Sequence, residues 1–271
     1  MAGCDGNCES CASKGNCSIQ KAQLNSQSHI KKVIAILSGK GGVGKSFVTS
    51  SLAVSLRREG FEVGILDADV TGPSIPKAFG IKDKAVGEDS LIYPLLSKTG
   101  IKVMSANCLL ENDSDPIVWR GTLLSGLIKQ FYEDVLWGDL DYLLIDMPPG
   151  TGDIALTVFQ QLPVDDLIIV TSPQDLVSLI VKKAIKMAEM MKIHILGVIE
   201  NMSYVKCDKC GEELRIFGDS HLEEFAKEEN FNILGKLPII PGNAKLVDEG
   251  KIESLELEEF LPIVDKVMEV E

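Results

Sequence analysis

The chain has 271 residues, 45% of them hydrophobic, which suits one large α/β domain with or without an appendage. Its 40 acidic and 27 basic residues give a formal net charge of −13, and with no Lys/Arg run the overall field opposes a polyanion such as DNA. No apolar run approaches the roughly 18 residues of a membrane span, and Met1–Cys17 has no apolar signal core, so the expected location is the cytoplasm.

Residues 1–28 are polar and Cys-rich and could not bury a core, so they read as an N-terminal segment joined by a polar linker, Gln20–Ser28. From there on, residues 29–271 read as one domain in which short β-branched runs alternate with helical stretches. Residues 33–37 form a strand of the fully buried type, 45–59 a helix stopping at Gly60, and 62–66 a second strand. A Gly/Pro-rich loop follows at 71–76, then a strand at 101–104 and a helix over 117–134. Three more buried strands are expected at 142–145, 167–171 and 193–199, with helices at 174–191 and 219–229. A late strand at 233–237 and a terminal helix over 255–269, interrupted or started near Pro262, complete the chain. This alternation predicts an α/β fold: a mostly parallel sheet with helices on both faces. Around 201–216 the pattern breaks into an excursion.

The segment from Gly39 through Lys40, Gly41, Gly42, Val43 and Gly44 to Lys45 and Ser46 matches G-x-x-x-x-G-K-[ST], after an apolar strand and at the start of a helix. Glycines let backbone N–H groups encircle phosphate oxygens, and the helix N-terminus adds partial positive charge. Lys45 is expected to bridge the β- and γ-phosphates and Ser46 to ligate Mg²⁺, with the nucleotide, most simply ATP, held by Gly39–Phe47. Two strands end in carboxylates, at Asp67 and Asp69 and at Asp146, where α/β sheets bind ligands. Asp146 ends an apolar strand as a Mg²⁺-holding carboxylate does; a capping role is the rival reading, chiefly for Asp67.

Six of the seven cysteines fall in two clusters, Cys4, Cys8, Cys11 and Cys17, and Cys207 and Cys210, while Cys108 lies alone in an apolar stretch and reads as packed core. Without a secretion signal, such clusters point to metal or redox chemistry rather than a disulfide framework. One C-x-x-C supplies half of the four ligands that a [4Fe–4S] cluster or tetrahedral metal takes. Alternatives for Cys207 and Cys210 are a zinc site completed by a residue such as His221, or a redox disulfide. The N-terminal four could hold a [4Fe–4S] cluster, hold zinc, or be a plain thiol tail.

The extra lysine, Lys40, makes the phosphate loop resemble the deviant Walker A signature of the MinD/ParA/nitrogenase-iron-protein class. That resemblance implies an ATP-sandwich homodimer in which Lys40 reaches the partner's nucleotide, Asp69 orients the attacking water, Asp67 lies nearer the metal and Asn201 contacts adenine. Together with Asp69–Pro76, Asp146–Asp153 and Glu200–Tyr204 followed by Cys207-x-x-Cys210, the chain resembles the Mrp/ApbC family of iron–sulfur cluster carrier ATPases over residues 31 to about 265. The family implies a cluster bridged between two copies by Cys207 and Cys210, and delivery to apo iron–sulfur proteins; the cluster donor is unknown. The C-x2-C-x5-C part of the N-terminal cluster is similar to the Nbp/Cfd scaffold branch, whereas the short spacing of Cys4 to Cys8 departs from it. A ParA/MinD-like positioning ATPase and a zinc-binding regulatory ATPase are the alternatives. Against membrane positioning, Lys251–Glu271 carries seven acids to two lysines.

Overall fold

Successive side chains of a strand point to opposite faces, and from Val33 onward both faces of β1 (His29–Ser38) are buried, which is why its sequence is a continuous apolar run rather than an alternating one. In the computed structural model, which describes residues 21–69, 74–88, 91–109, 121–173, 177–207 and 209–269, β1 lies in the middle of the sheet. The N-terminal cysteines Cys4, Cys8, Cys11 and Cys17 lie outside the described residues.

The chain continues through α1 (Lys45–Arg58), β2 (Val63–Asp67), α2 (Ser74–Ala78) and a small hairpin of β3 (Gly87–Glu88) and β4 (Leu91–Ile92). Next come β5 (Leu95–Leu96), β6 (Lys102–Ser105), α3 (Gly121–Glu133), β7 (Asp139–Asp146), α4 (Asp153–Gln161), β8 (Asp166–Thr171), α5 (Val177–Met191) and β9 (His194–Glu200). A second hairpin, β10 (Val205–Lys206) and β11 (Glu213–Leu214), precedes α6 (Leu222–Glu229), β12 (Ile233–Lys236), α7 (Asn243–Asp248) and α8 (Leu261–Met268).

Among the described residues an eight-stranded sheet runs in the order β12-β9-β8-β1-β7-β2-β6-β5, parallel throughout except for β5 at its edge. The predicted two-sided α/β architecture is therefore the observed one. Val33, Ala35 and Leu37 pack with Phe131 of α3, Phe159 of α4 and Val181 of α5. Ile34 and Ile36 pack on the other face with Leu52 of α1, Ile75 of α2 and Ile263 of α8. The chain passes from β1 to β2 on the β7 side and from β8 to β9 on the other, so the strand order reverses around β1, and α/β sheets bind ligands at the carboxyl ends of strands at such a point.

Several elements differ from expectation for local reasons. The Gly/Pro-rich stretch at 71–76 contains the start of α2, because Pro76 sits in a first helical turn where its missing N–H is not needed. Helix α4 has no sequence signal of its own behind the Gly/Pro run after Asp146, yet it buries Ala155, Val158 and Phe159 along one stripe. Helix α7 was also unread; it buries no residue and so shows no apolar period. For the C-terminal helix the start near Pro262 is the observed one: α8 begins at Leu261 with Pro262 in its first turn, and Leu255, Leu257 and Phe260 are buried ahead of it. Residues 21–28 are no loose linker. Ala22 is buried and donates its N–H to the Gln161 carbonyl, and the Asn25 amide donates to the carbonyls of Glu133 and Val135. Among the described residues no helix is long and apolar enough to cross a membrane.

Candidate nucleotide and cysteine site

The loop after β1 folds back on the strand ends through its glycines. Gly42 and Gly44 hold φ of 83° and 81°, left-handed values that favour glycine, and Gly44 is the N-cap of α1. No side chain caps this helix, so its first N–H groups face the loop as an anion cradle. Gly44 has a second reason to lack a side chain: a Cβ there would lie 2.3 Å from Asn201 Nδ2. Asn201 follows β9 and donates from that same nitrogen to the Val43 carbonyl at 2.9 Å. The ring of Phe47 turns to Phe260, 6.4 Å between centroids, so toward the loop it offers its backbone. Lys40 is partly exposed, and its carbonyl accepts from the Ser38 hydroxyl at 3.1 Å.

Register places the acids. Asp67 pairs with Asp146 across β2 and β7, and Ile36 pairs with Asp146 across β1 and β7, which brings both carboxylates to the mouth of the phosphate loop. Asp146 is fully buried and completely engaged: Lys45 Nζ donates to its Oδ2 at 2.6 Å, Ser46 Oγ to the same oxygen at 2.7 Å, and Thr49 Oγ1 to Oδ1 at 2.6 Å. Asp69 reaches Lys45 Nζ at 3.7 Å. Asp67 accepts from Ser105 Oγ at 2.9 Å and from the Asp69 N–H at 3.1 Å. Burial pushes the Asp67 carboxyl well above the usual carboxylate range; nearby Asp146 adds to this, and Lys45 only partly offsets it.

The arrangement fits a magnesium–nucleotide. Ser46 and Asp146 present two hard oxygens to one point, and a buried ammonium stands beside them where phosphate charge would enter. Of the residues that sequence reading singled out, Lys45, Ser46, Asp67, Asp69 and Asp146 lie together here. It missed Thr49, although a residue one turn beyond Ser46 on α1 is bound to share its face. It also missed Ser105, which is far away in sequence on β6 and carries no local signal.

Cys207 and Cys210 sit at the tip of the β10–β11 hairpin, Cys207 half-buried and Cys210 exposed. The Cys207 N–H donates to the Glu212 carbonyl, and the Gly211 N–H returns to the Cys207 carbonyl at 2.8 Å, a tight knuckle. The two thiols are not joined as a disulfide. Among the described residues no third His, Cys, Asp or Glu joins them in an arrangement that could hold a metal ion, and His221 instead lies 3.5 Å from Glu224. Cys108 is buried, as its apolar setting led one to expect.

Residues 29–269 match the family model described as "ParA: NUBPL iron-transfer P-loop NTPase". A protein of Methanocaldococcus jannaschii named iron-sulfur cluster carrier protein is 46% identical over 99% of this chain and 98% of its own length. One of the same name from Clostridium perfringens is 44% identical over 92% of this chain and 94% of its own. The solved structure of a nucleotide-binding protein from Archaeoglobus fulgidus in complex with ADP superimposes with a TM-score of 0.77 at 45% identity, covering 86% of this chain and 91% of that one. The cell division ATPase MinD of Pyrococcus furiosus shares the fold, with a TM-score of 0.65 at 21% identity over 89% of this chain and 100% of that one. Matched by the family model over residues 29–269 and 44–46% identical to these carriers along nearly their whole length, the chain belongs to the iron-transfer P-loop NTPase family.

Proposed function

We propose that this chain is an ATP-hydrolysing carrier that binds a [4Fe–4S] cluster between two copies of itself and hands it to apo iron–sulfur proteins. The observation that carries the reading is the Cys207–Cys210 knuckle: a half-buried and an exposed cysteine at the tip of a hairpin, with no third ligand among the described residues. Two such hairpins related by a two-fold axis supply the four thiolates that the cluster takes. Cargo held on a surface edge in this way can be released as well as bound. The names of the relatives support the same reading.

At the phosphate loop, Lys45 binds the β- and γ-phosphates, and Ser46 and Asp146 hold Mg²⁺, which when bound neutralises phosphate charge. Lys45 must then turn from Asp146 toward the nucleotide, a short movement for an ammonium already 3.4 Å from Ser46 Oγ. Asp69 orients the attacking water, Asp67 lies beside the metal position, and Lys40 reaches the nucleotide of the partner copy. Asn201, fixed on the loop through Val43, bounds the base side of the pocket. Cys4, Cys8, Cys11 and Cys17 form a second, N-terminal [4Fe–4S] site.

Anaerobic reconstitution tests the proposal. In a full-length Cys4→Ser/Cys8→Ser/Cys11→Ser/Cys17→Ser background, iron and sulfide should load and transfer to an apo acceptor. Adding Cys207→Ala and Cys210→Ala should abolish both. Transfer undiminished by the added pair, or stoichiometric zinc without sulfide, sinks the reading.

A further inference from the structure

Glu200 is the last residue of β9, 2% exposed, and held in register between Thr171 of β8 and Lys236 of β12. A buried carboxylate costs free energy unless its oxygens are satisfied, so its partners show what it is for. Oε1 accepts from the Ser203 hydroxyl at 2.8 Å, and Oε2 accepts from the Ser220 hydroxyl at 2.6 Å. Ser203 and Ser220 are the two feet of the excursion that carries Cys207 and Cys210. One carboxylate thus closes the base of the cysteine hairpin from both sides.

The clamp is braced. Ser220 Oγ accepts from Lys236 Nζ and from the Leu222 N–H, both at 3.2 Å, and Lys236 also pairs with Glu223 at 2.5 Å. The Ser203 N–H donates to the Leu237 carbonyl, and the Leu237 N–H returns to the Glu200 carbonyl. On its other side Glu200 is joined by one peptide bond to Asn201, whose amide holds the Val43 carbonyl of the phosphate loop. Met202 follows with φ of 61°, a left-handed conformation that costs a methionine about 1 kcal/mol and turns the chain sharply toward Ser203. Its Cε lies 3.5 Å from where a Gly44 Cβ would stand, so Asn201 and Met202 both rest on the residue that opens α1.

We infer that Glu200 is a positioning residue that ties the state of the phosphate loop to the placement of Cys207 and Cys210. Rearrangement of Val43 and Gly44 around phosphate loads Asn201 and Met202, and the Glu200 carboxylate passes that displacement to both feet of the hairpin at once. A hairpin held at one foot would swing; held at both, it shifts as a body. This inference rests on the proposed cargo role of the two cysteines, but its test needs no cargo.

The test is peptide-resolved alkylation of Cys207 and Cys210 by iodoacetamide in the reduced, cluster-free full-length protein, with and without Mg-ADP or a slowly hydrolysed ATP analogue. The wild-type rates should change with nucleotide by about fivefold or more, the lower range of allosteric coupling. Ser220→Ala should abolish that response, and Ser220→Thr, which keeps the hydroxyl, should restore it. Glu200→Gln, which keeps one acceptor oxygen, should leave an intermediate response. Nucleotide Kd is measured alongside: response lost at unchanged Kd supports the inference, whereas a loss that merely follows weakened nucleotide binding overturns it. Wild-type rates indifferent to nucleotide, or a Ser220→Ala protein that responds as wild type does, also overturn it. Failure of cluster loading would count against the cargo role alone and leave this comparison standing.

Discussion

Lys45 Nζ lies 2.6 Å from Asp146 Oδ2, and both side chains are almost wholly removed from solvent. The lysine that would meet phosphate is thus paired with the carboxylate that would hold Mg²⁺. A magnesium–nucleotide held as proposed would replace one ion pair by two new ones, so binding would not strand a buried charge.

Breaking that pair from one side should be harmful even without nucleotide. Lys45→Ala leaves Asp146 buried without its cation and should lower unfolding free energy by about 3–5 kcal/mol while abolishing ATP binding. The double variant Lys45→Met/Asp146→Asn, which removes both charges, should recover most of the stability and none of the binding. Denaturant unfolding with a nucleotide-binding assay reads both; additive losses in the double variant contradict the pairing.

Thr49 should act on metal use through Asp146. Thr49→Val removes the donor to Asp146 Oδ1 and should raise the Mg²⁺ concentration for half-maximal ATPase activity about tenfold, the low end for a residue that orients a metal-holding carboxylate. Thr49→Ser should return it to wild type. A fall in kcat at unchanged Mg²⁺ requirement would point elsewhere.

Asp67 sets a pH dependence. Its folded-state carboxyl titrates above the unfolded value, so the native state binds more protons between the two. Its contribution is most favourable below the unfolded value, near pH 4, and is lost as pH rises through the raised one. Asp67→Asn should therefore stabilise the nucleotide-free protein at pH 7.5 by about 0.5–2 kcal/mol, the usual range for stabilising substitutions, with the gain shrinking toward pH 4. Thermal melts at the two pH values check this; a gain that grows on acidification contradicts the assignment.

Gly44→Ala meets two obstacles, a positive φ and Asn201 Nδ2 at 2.3 Å from the new methyl. It should destabilise by about 1–3 kcal/mol and weaken ATP binding, and calorimetric titration with melting curves measures both. Gly44→Ala combined with Asn201→Ala removes the clash but not the strain, so it should recover only part of the loss.

Much of the fold was legible because both faces of the central strands are buried, which turns 33–37, 142–145 and 167–171 into unbroken apolar runs. The phosphate loop was legible because its chemistry is local: glycines, a lysine and a serine within one turn. Helix α7 was not legible because none of its residues is fully buried, and α4 because it directly follows a Gly/Pro run.

By itself, the sequence determined the alternation of strands and helices, the phosphate loop, the acids at strand ends and the paired cysteines, all of which are set by neighbours along the chain. Only the tertiary structure decided that Asp146 gathers Lys45, Ser46 and Thr49, that Ser105 reaches Asp67, and that Glu200 joins Ser203 to Ser220. Those contacts depend on strand register and on where a loop returns. Burial then makes each polar partner obligatory, because an unpaired group in the core costs more than any local preference can offset.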